Sequence, residues 1–375
     1  MPRTSWLLPL LLTLAAPLAA DPTPATPFPA EQHAGPFKSG HVQGIAVDRK
    51  RGYIYYSFTD MLAKYDFQGR LVGTLSGWTG HLGDLDFNDA DGRVYGSLEY
   101  GKQDAFYIAV IDARRIDRVG MSVRDHALLR AVYLPEVTRD YAAPGHRYGC
   151  SGIDGVAFGP AFGRADGRHY LTVAYGIYGD TARSDNDHQV LLQYDASDWS
   201  RFARPLDEAQ LHKSGPGRPR AKVFVRTGNT RYGVQNLAYD ESLQRWFMGV
   251  YPGAKPAFPN FGLFAVDARS QPVSGDLIGV PASQGTGWEQ GRRLPLVEDG
   301  IGDRGGVRGW HQKADVGIQP LGQGRYFLVT NAKTREGQSA HLALMRSTGN
   351  PQAPFGVGGR DTQKGQGAEP RIVKR

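Results

Sequence analysis

The sequence contains a single cysteine, Cys150, so no disulfide bond can form within the chain. With 375 residues, the chain is long enough to bury a core without that support. It also lacks a Gly-x-x-x-x-Gly-Lys-Ser/Thr loop, a dinucleotide fingerprint, a Gly-x-Ser-x-Gly elbow and a His-Glu-x-x-His helix. These absences argue against a kinase, a simple α/β-hydrolase, a zincin protease and a nucleotide cofactor.

The apolar run from Trp6 to Ala20 is too short for a comfortable transmembrane helix. It follows a short basic start and ends in small residues, which predicts a signal peptide over residues 1–20. We therefore expect a secreted or periplasmic protein without a membrane span. Residues 21–36 are rich in Pro, Ala and Thr and predict a linker, and residues 359–375 predict a disordered basic tail.

The net charge of +7 is modest, and the sequence has no stripe of alternating basic and aromatic residues. This argues against a nucleic-acid partner. Glycine (49), proline (24) and aromatic residues (18 Tyr, 16 Phe, 6 Trp) are abundant. Many turn formers together with many aromatics favour short strands over a helical bundle.

One pattern recurs five times: an apolar strand, a polar turn, an aromatic-rich strand, a loop, and a strand that ends near Asp. Repeated units of this kind predict an all-β fold, a β-propeller of five four-stranded blades over residues 37–358. Six or seven blades, a sandwich and two β domains are the alternatives. The expected first strands are 43–48, 84–88, 154–158, 235–240 and 317–321. The expected fourth strands are 70–75, 128–136, 221–226 and 293–297, with the fifth borrowed from a chain terminus.

In a propeller, the residues that lead into the inner strands line a central funnel, where sites usually form. Here those residues are polar, and His41 and His81 occupy equivalent positions of their repeats. Imidazoles near a carboxylate can bind a divalent metal or transfer protons. We expect His41, His81 and His311 as ligands of one divalent ion. The expected substrate-binding residues are Gln43, Gln235, Asn236, Trp310 and Lys313.

The segment 146–155 holds a potential base, a cation, a phenol and a carboxylate. Arg147 can neutralise a uronate carboxylate, and Tyr148 can move a proton, as a polysaccharide lyase requires. The alternative is a structural turn that enters a blade. Asp84, Asp154 and Asp315 precede three inner strands and could instead supply the carboxylate pair of a glycoside hydrolase. The predicted catalytic residues are therefore His41, His81, Arg147, Tyr148 and Asp154.

The strings 41–48, 80–83, 92–100, 146–155 and 232–237 resemble a family of secreted bacterial β-propeller proteins. That family has no firmly assigned activity, so the resemblance implies fold and export only. By residue type, the chain is also similar to propeller uronate lyases that use His, Tyr and Arg. The strand Gln43-Gly44-Ile45 is similar to five-bladed glutaminyl cyclases, and Asp84 is a rough counterpart of their Glu.

Together these features predict a secreted, monomeric carbohydrate-active enzyme, a lyase or a hydrolase, that acts on a glycan or another small-molecule substrate in the funnel. The first alternative is a non-catalytic propeller that binds glycans or proteins through exposed Trp78, Trp288 and Trp310. A second is a cyclase or another small-molecule enzyme in the same funnel.

Overall fold

The computed structural model describes residues 27–164, 167–302 and 305–357. Five sheets stand in a ring around a central axis, which confirms the five-bladed β-propeller. The predicted signal peptide and basic tail lie outside the described residues. Within them, no helix is long and apolar enough to cross a membrane.

The first half of the chain contributes one complete blade, most of a second and part of a third, together with one strand of the last blade. In chain order these strands are β1 (Glu31–Phe37), β2 (Val42–Asp48), β3 (Tyr53–Phe58), β4 (Met61–Asp66), β5 (Leu71–Ser76), β6 (His81–Asn88), β7 (Arg93–Tyr100), β8 (Ala105–Ile111), β9 (Met121–Ser122), β10 (Leu129–Tyr133), β11 (Cys150–Pro160), β12 (His169–Ile177) and β13 (His188–Tyr194). Two short helices, α1 (Val123–His126) and α2 (Pro135–Ala142), flank β10.

The second half completes the ring. Its strands are β14 (Arg204–Pro205), β15 (Ala221–Arg226), β16 (Thr230–Asp240), β17 (Arg245–Pro252), β18 (Leu263–Asp267), β19 (Val273–Pro281), β20 (Trp288–Arg293), β21 (Ile301–Gly302), β22 (Arg308–Gly309), β23 (Ile318–Gly322), β24 (Arg325–Lys333), β25 (Gln338–Asn350) and β26 (Ala353–Val357).

Each blade starts at the axis and runs outward. From the inside, blade 1 is β2-β3-β4-β5-β9, blade 2 is β6-β7-β8-β10-β14, blade 3 is β11-β12-β13-β15-β20-β19 and blade 4 is β16-β17-β18. Blade 5 is β23-β24-β25, and its fourth position is shared between the two ends of the described chain. There β1 pairs with the first half of β25 and β26 with its second half.

Two boundary predictions are wrong. Residues 31–36, expected in a linker, belong to β1, because alternate side chains of that strand, Gln32 and Ala34, are buried. Residues 293–297 do not form a fourth strand of blade 4. There only Leu296 bridges Val266 of β18. The strand that leads into this segment, β20, is polar and has no continuous apolar face. It forms a hairpin with β19, and this hairpin joins blade 3 beside β15 rather than blade 4.

The core lies between neighbouring blades and is rich in aromatic side chains. Alternation along each strand places one face against each neighbouring blade, so the aromatic strands predicted from the sequence supply both faces. The largest fully buried side chains include Tyr55, Tyr56, Tyr107, Tyr175 and Trp246.

Candidate functional site at the funnel mouth

β-Bulges interrupt the inner strands of blades 1 to 4 near their first residues. The register shifts fall between Val42 and Gly44, between Leu82 and Leu85, between Ile153 and Val156, and between Val234 and Asn236. A bulge re-aims side chains and is common beside functional sites. The bulged segments carry Gln43, Asp84, Asp154 and Gln235, the polar residues singled out from the sequence.

Blades 1 and 2 bring His41 and His81 together, as their equivalent positions predict. The amide of Gln43 lies 2.6 Å from Nε2 of His41 and also contacts Nε2 of His81. The two ring centroids are 6.0 Å apart. Burial lowers the pKa of His81 to about 4, with a smaller contribution from His41, and burial also lowers the pKa of His41. Both imidazoles are therefore neutral at pH 7.

Glu99 is a member of this site that the sequence analysis missed. It lies on β7 opposite His81, with Oε2 at 3.8 Å from Nδ1 of that histidine, and its side chain is 17% exposed. Its Oε1 accepts the backbone N–H of Ile153 in blade 3. Burial, and secondarily the charge of Asp154, raise the pKa of Glu99 well above its usual range.

Asp154 provides a second buried carboxyl beside Glu99. Its Oδ2 accepts a 2.8 Å hydrogen bond from Nε2 of Gln235, which also donates to the carbonyl of Tyr232 at 2.8 Å. Burial raises the pKa of Asp154 despite that hydrogen bond. Glycine at position 83 leaves room for this carboxyl, because a Cβ there would approach Asp154 Oδ1 to 2.8 Å and would also collide with Ser97 Oγ. Glu99 and Asp154 thus bring two carboxyls with raised pKa values from adjacent blades to the same backbone segment, at Ile153 and Asp154.

We call His41, Gln43, His81, Glu99 and Asp154 the mouth group. His41 is exposed, His81 and Glu99 are partly exposed, and Gln43 and Asp154 are buried. A neutral imidazole pair next to carboxyls with raised pKa values is suited to transferring protons.

Asp84 and Asn236, which the sequence analysis proposed for catalysis and substrate binding, hold the inner strands together. Oδ2 of Asp84 accepts the backbone N–H groups of Val156 and Leu237, each at 2.9 Å, so one carboxyl connects blades 2, 3 and 4. Asn236 Nδ2 donates to the carbonyls of Gln43 at 2.8 Å and Asp315 at 3.1 Å. These contacts span the axis and assign Asp84 and Asn236 to the scaffold. Because its carboxyl is occupied by these backbone groups, Asp84 does not match the Glu of the glutaminyl cyclases to which the first inner strand is similar.

Blade 4 and the segment before blade 5 add tyrosines and a carboxyl to the funnel. Burial raises the pKa of Tyr251 to about 12, with contributions from the charges of Asp315 and Asp154. Burial also raises the pKa of Asp315, against the charge of Lys313, which is exposed. Tyr232 is 57% exposed and has a φ of +62°, a backbone conformation that an aromatic residue rarely adopts.

The predicted three-histidine metal site does not form. His311 packs against Phe261, with ring centroids 4.8 Å apart. In residues 27–164, 167–302 and 305–357, no group of three or more His, Cys, Asp or Glu side chains is arranged to hold a metal ion.

Two of the three tryptophans expected to stack on ligands are structural. Trp310 is 4% exposed and packs in the core between blades 4 and 5, so it does not bind substrate as predicted. Trp78 is 3% exposed, and its Nε1 donates to the carbonyl of Thr59 at 3.3 Å. Trp288, on the added hairpin of blade 3, is exposed.

Tyr148 lines a separate cleft on the outer part of blade 3, and Arg147 lies beside it. The hydroxyl of Tyr148 donates to Glu289 Oε1 at 2.5 Å, and Arg147 Nη2 donates to the same oxygen at 2.8 Å. The Lys222 ammonium lies 4.7 Å from the centroid of the Tyr148 ring. The cleft has a volume of about 290 Å³ between β15 and the hairpin β19–β20. The structure therefore pairs these two residues with Glu289 rather than with His41 and His81.

Comparison with known proteins adds little to this geometry. No family model and no curated protein matches the chain. Among solved structures, the chain is similar to a GH43 β-1,3-galactosidase solved with galactodeoxynojirimycin (13% identity, TM-score 0.37, covering 83% of this chain and 91% of that one). It is also similar to the Dos1 propeller (11% identity, TM-score 0.32, covering 84% and 80%).

A third similar structure is the extracellular domain of a protein described as a hybrid two-component system of B. thetaiotaomicron (11% identity, TM-score 0.33). The match covers 80% of this chain, which spans only 27% of the length of that one. At these identities and scores the likenesses carry no argument about function. The propeller assignment rests on the strand topology.

Proposed function

We propose that the protein is an exported carbohydrate-active hydrolase whose mouth group cleaves a glycosidic bond. One arrangement supports this above the others: Glu99 accepts the N–H of Ile153, the residue before Asp154, and lies 3.8 Å from His81, and burial raises the pKa values of both carboxyls. Two neighbouring carboxyls removed from water are costly to ionise together, so the pair retains a proton near neutral pH. A carboxyl kept protonated at neutral pH is the proton donor that glycoside hydrolysis needs.

In this proposal Glu99, the more exposed carboxyl, donates its proton to the glycosidic oxygen as the bond from that oxygen to the anomeric carbon breaks. Water adds to the anomeric carbon, and its proton passes to the neutral imidazole of His41, which is exposed at the entrance. Asp154 is a positioning residue that keeps Glu99 protonated. Gln43 holds the two imidazole rings in place through its amide.

The hydrolase is favoured over the lyase by the location of Arg147. A uronate lyase needs a cation to neutralise the substrate carboxylate at the point of proton abstraction, and an arginine suits that task. Arg147 instead donates to Glu289 in the outer cleft. The residues expected of a lyase are therefore divided between the mouth group and the outer cleft, whereas Glu99 and Asp154 both belong to the mouth group.

A panel of neutral and acidic polysaccharides tests the proposal, with new reducing ends and unsaturated uronate products measured in parallel. Glu99→Gln and His41→Gln should each lower the rate of reducing-end formation by about 10²-fold or more. The matched controls are Glu241→Gln and His169→Gln, because both residues are exposed at the opposite end of their blades. Full activity in Glu99→Gln, or unsaturated products alone, would overturn the hydrolase proposal.

A non-catalytic glycan-binding propeller is the second candidate, and Tyr232 favours it. An exposed aromatic ring held in a strained backbone conformation is suited to stacking on a sugar ring. Glycan binding without any product, weakened in Tyr232→Ala and unchanged in Glu99→Gln, would establish this function in place of hydrolysis.

A further inference from the structure

Blade 3 contains a cluster of basic side chains outside the mouth group. His188 on β13 pairs with Arg226 on β15, and Phe224 on β15 pairs with Arg293 on β20. Paired residues share a face of the sheet, and so do residues two apart on one strand. His188, Arg226 and Arg293 therefore project from the same face of three consecutive strands.

These three side chains bury polar atoms that have no partner among the described residues. The unpaired atoms are both ring nitrogens of His188, Nε of Arg226 and Nε of Arg293. His188 itself is 1% exposed. The outer nitrogens of the arginines are held elsewhere, with Arg226 Nη1 donating to the carbonyl of Gly305 and Arg293 Nη1 to that of Asp276, both at 3.2 Å. Of the buried atoms of the two arginines, Nε is the one without a partner among the described residues.

The kind of group that would satisfy them follows from counting donors. An arginine Nε–H can only donate, and a neutral imidazole carries one N–H in either tautomer. The cluster thus presents three donors and two positive charges. A water molecule could accept from both arginines and donate to the second imidazole nitrogen, but it would bring no negative charge, whereas an anion accepts the same N–H groups and also offsets the two guanidinium charges.

We propose that His188, Arg226 and Arg293 form a buried binding site for one small anion, a halide or a compact oxoanion such as formate or sulfate. The anion would connect β13 and β15 of the propeller to β20 of the added hairpin. It would thereby fix the hairpin that also carries Glu289.

Two further observations support this site. Burial, together with the smaller effect of the charges of Arg226 and Arg293, lowers the pKa of His188 to about 4, so the field of the two arginines at the imidazole is positive. The Arg293 guanidinium packs against Gly275, where a larger residue would not fit because its Cβ would collide with that group. The basic cluster is thus packed from the hairpin side as well.

Bromide provides a direct probe. Crystals of the full chain, grown without halide and soaked in sodium bromide, should show an anomalous peak bounded by His188, Arg226 and Arg293. In parallel, the melting temperature of dialysed protein is measured in sodium chloride, bromide, formate and sulfate against sodium gluconate at matched ionic strength. Gluconate is too large for an enclosed site. A halide-only rise identifies a halide site, and a rise with formate or sulfate identifies an oxoanion site.

The variant Arg293→Gln should lose both the peak and the anion-dependent rise. Arg292→Gln is the matched control, since its side chain points to the other face of β20 and donates to the carbonyl of Pro272. Gly275→Ala, which displaces the Arg293 guanidinium without removing a charge, should weaken the response if Arg293→Gln fails to fold. No bromide peak in the wild type, or equal melting temperatures in all five salts, would overturn the proposal.

Discussion

Single buried polar residues near the axis serve two different purposes. Asp84 and Asn236 satisfy backbone groups of neighbouring blades, whereas Glu99 and Asp154 keep part of their hydrogen-bonding capacity near the funnel entrance. All four are polar residues near the same end of the ring, so their residue type does not distinguish them. The partners of each side chain do.

Asp84→Ala should lower the free energy of unfolding by about 2–5 kcal/mol, because it leaves the buried N–H groups of Val156 and Leu237 without an acceptor. Chemical denaturation measures the change. Asp89→Ala is the control: that residue forms an exposed ion pair with Lys50 at 3.3 Å, and its loss should cost less than about 1 kcal/mol. Equal effects of the two substitutions would contradict the scaffold role of Asp84.

The raised pKa of Glu99 makes the free energy of unfolding depend on pH. Its pKa in the folded protein lies above the ordinary value of 4.5, so the folded state keeps a proton that the unfolded chain releases. Its contribution to stability is complete below about pH 4.5 and is lost as the pH rises through the folded pKa. The free energy of unfolding should therefore fall with rising pH over this range, and Glu99→Gln should make that fall shallower. A steeper fall in the variant would show that the carboxyl is ionised when buried.

At the level of single residues, repeat equivalence was informative about position. The matching positions of His41 and His81 predicted their proximity. Glu99 was missed because an unbulged hairpin, counted from the turn at Asp91-Gly92, would place Tyr100 opposite His81. The bulge at Gly83-Asp84 moves the register by one residue and places Glu99 there instead.

At the scale of secondary-structure elements, the hairpin β19–β20 is the main departure from a simple propeller. This hairpin follows blade 4 in the sequence but pairs with blade 3. There Glu289 accepts hydrogen bonds from Arg147 and Tyr148. Sequence patterns describe local periodicity, and they give no information on which distant edge a polar hairpin will join. That is why the fourth strand of blade 4 was misplaced and why Arg147 and Tyr148 were assigned to the funnel.

Glu289→Ala should loosen this hairpin without unfolding the ring. Hydrogen exchange of the amides in residues 273–293 should accelerate, while the melting temperature changes little. Glu298→Gln serves as the control, because Glu298 is exposed and contacts only Arg308 among the described residues, at 3.4 Å. Exchange that accelerates equally throughout blade 3 would show that the hairpin and the blade unfold together.

For the whole molecule, closure of the ring depends on the N-terminal strand of the described chain. Within β1, Gln32 donates to the carbonyl of Asp66 at 2.7 Å and accepts from the hydroxyl of Tyr56 at 2.8 Å, which ties blade 5 to blade 1. The sequence predicted that a terminus completes the last blade. It did not predict that β1 and β26 share this position, because composition marked residues 31–36 as a linker.

Gln32→Ala should reduce the free energy of unfolding by about 1–3 kcal/mol, since it leaves buried partners at the joint between blades 5 and 1 unsatisfied. The neighbouring Glu31→Ala provides a control, because Glu31 is exposed and lies 3.8 Å from His341. Thermal and urea denaturation both report the difference. A loss no larger than that of the control would mean that closure does not depend on this contact.

The central claim is that Glu99 and Asp154 retain a proton at neutral pH. A carbon-13 NMR titration of the side-chain carboxyls, assigned with Glu99→Gln and Asp154→Asn, tests it without knowledge of the substrate. We predict that at least one of the two carboxyls titrates well above the ordinary range and that removing either partner lowers the midpoint of the other. If both titrate near their ordinary values in the wild type, the mouth group lacks its proton donor and the proposed hydrolase mechanism is wrong.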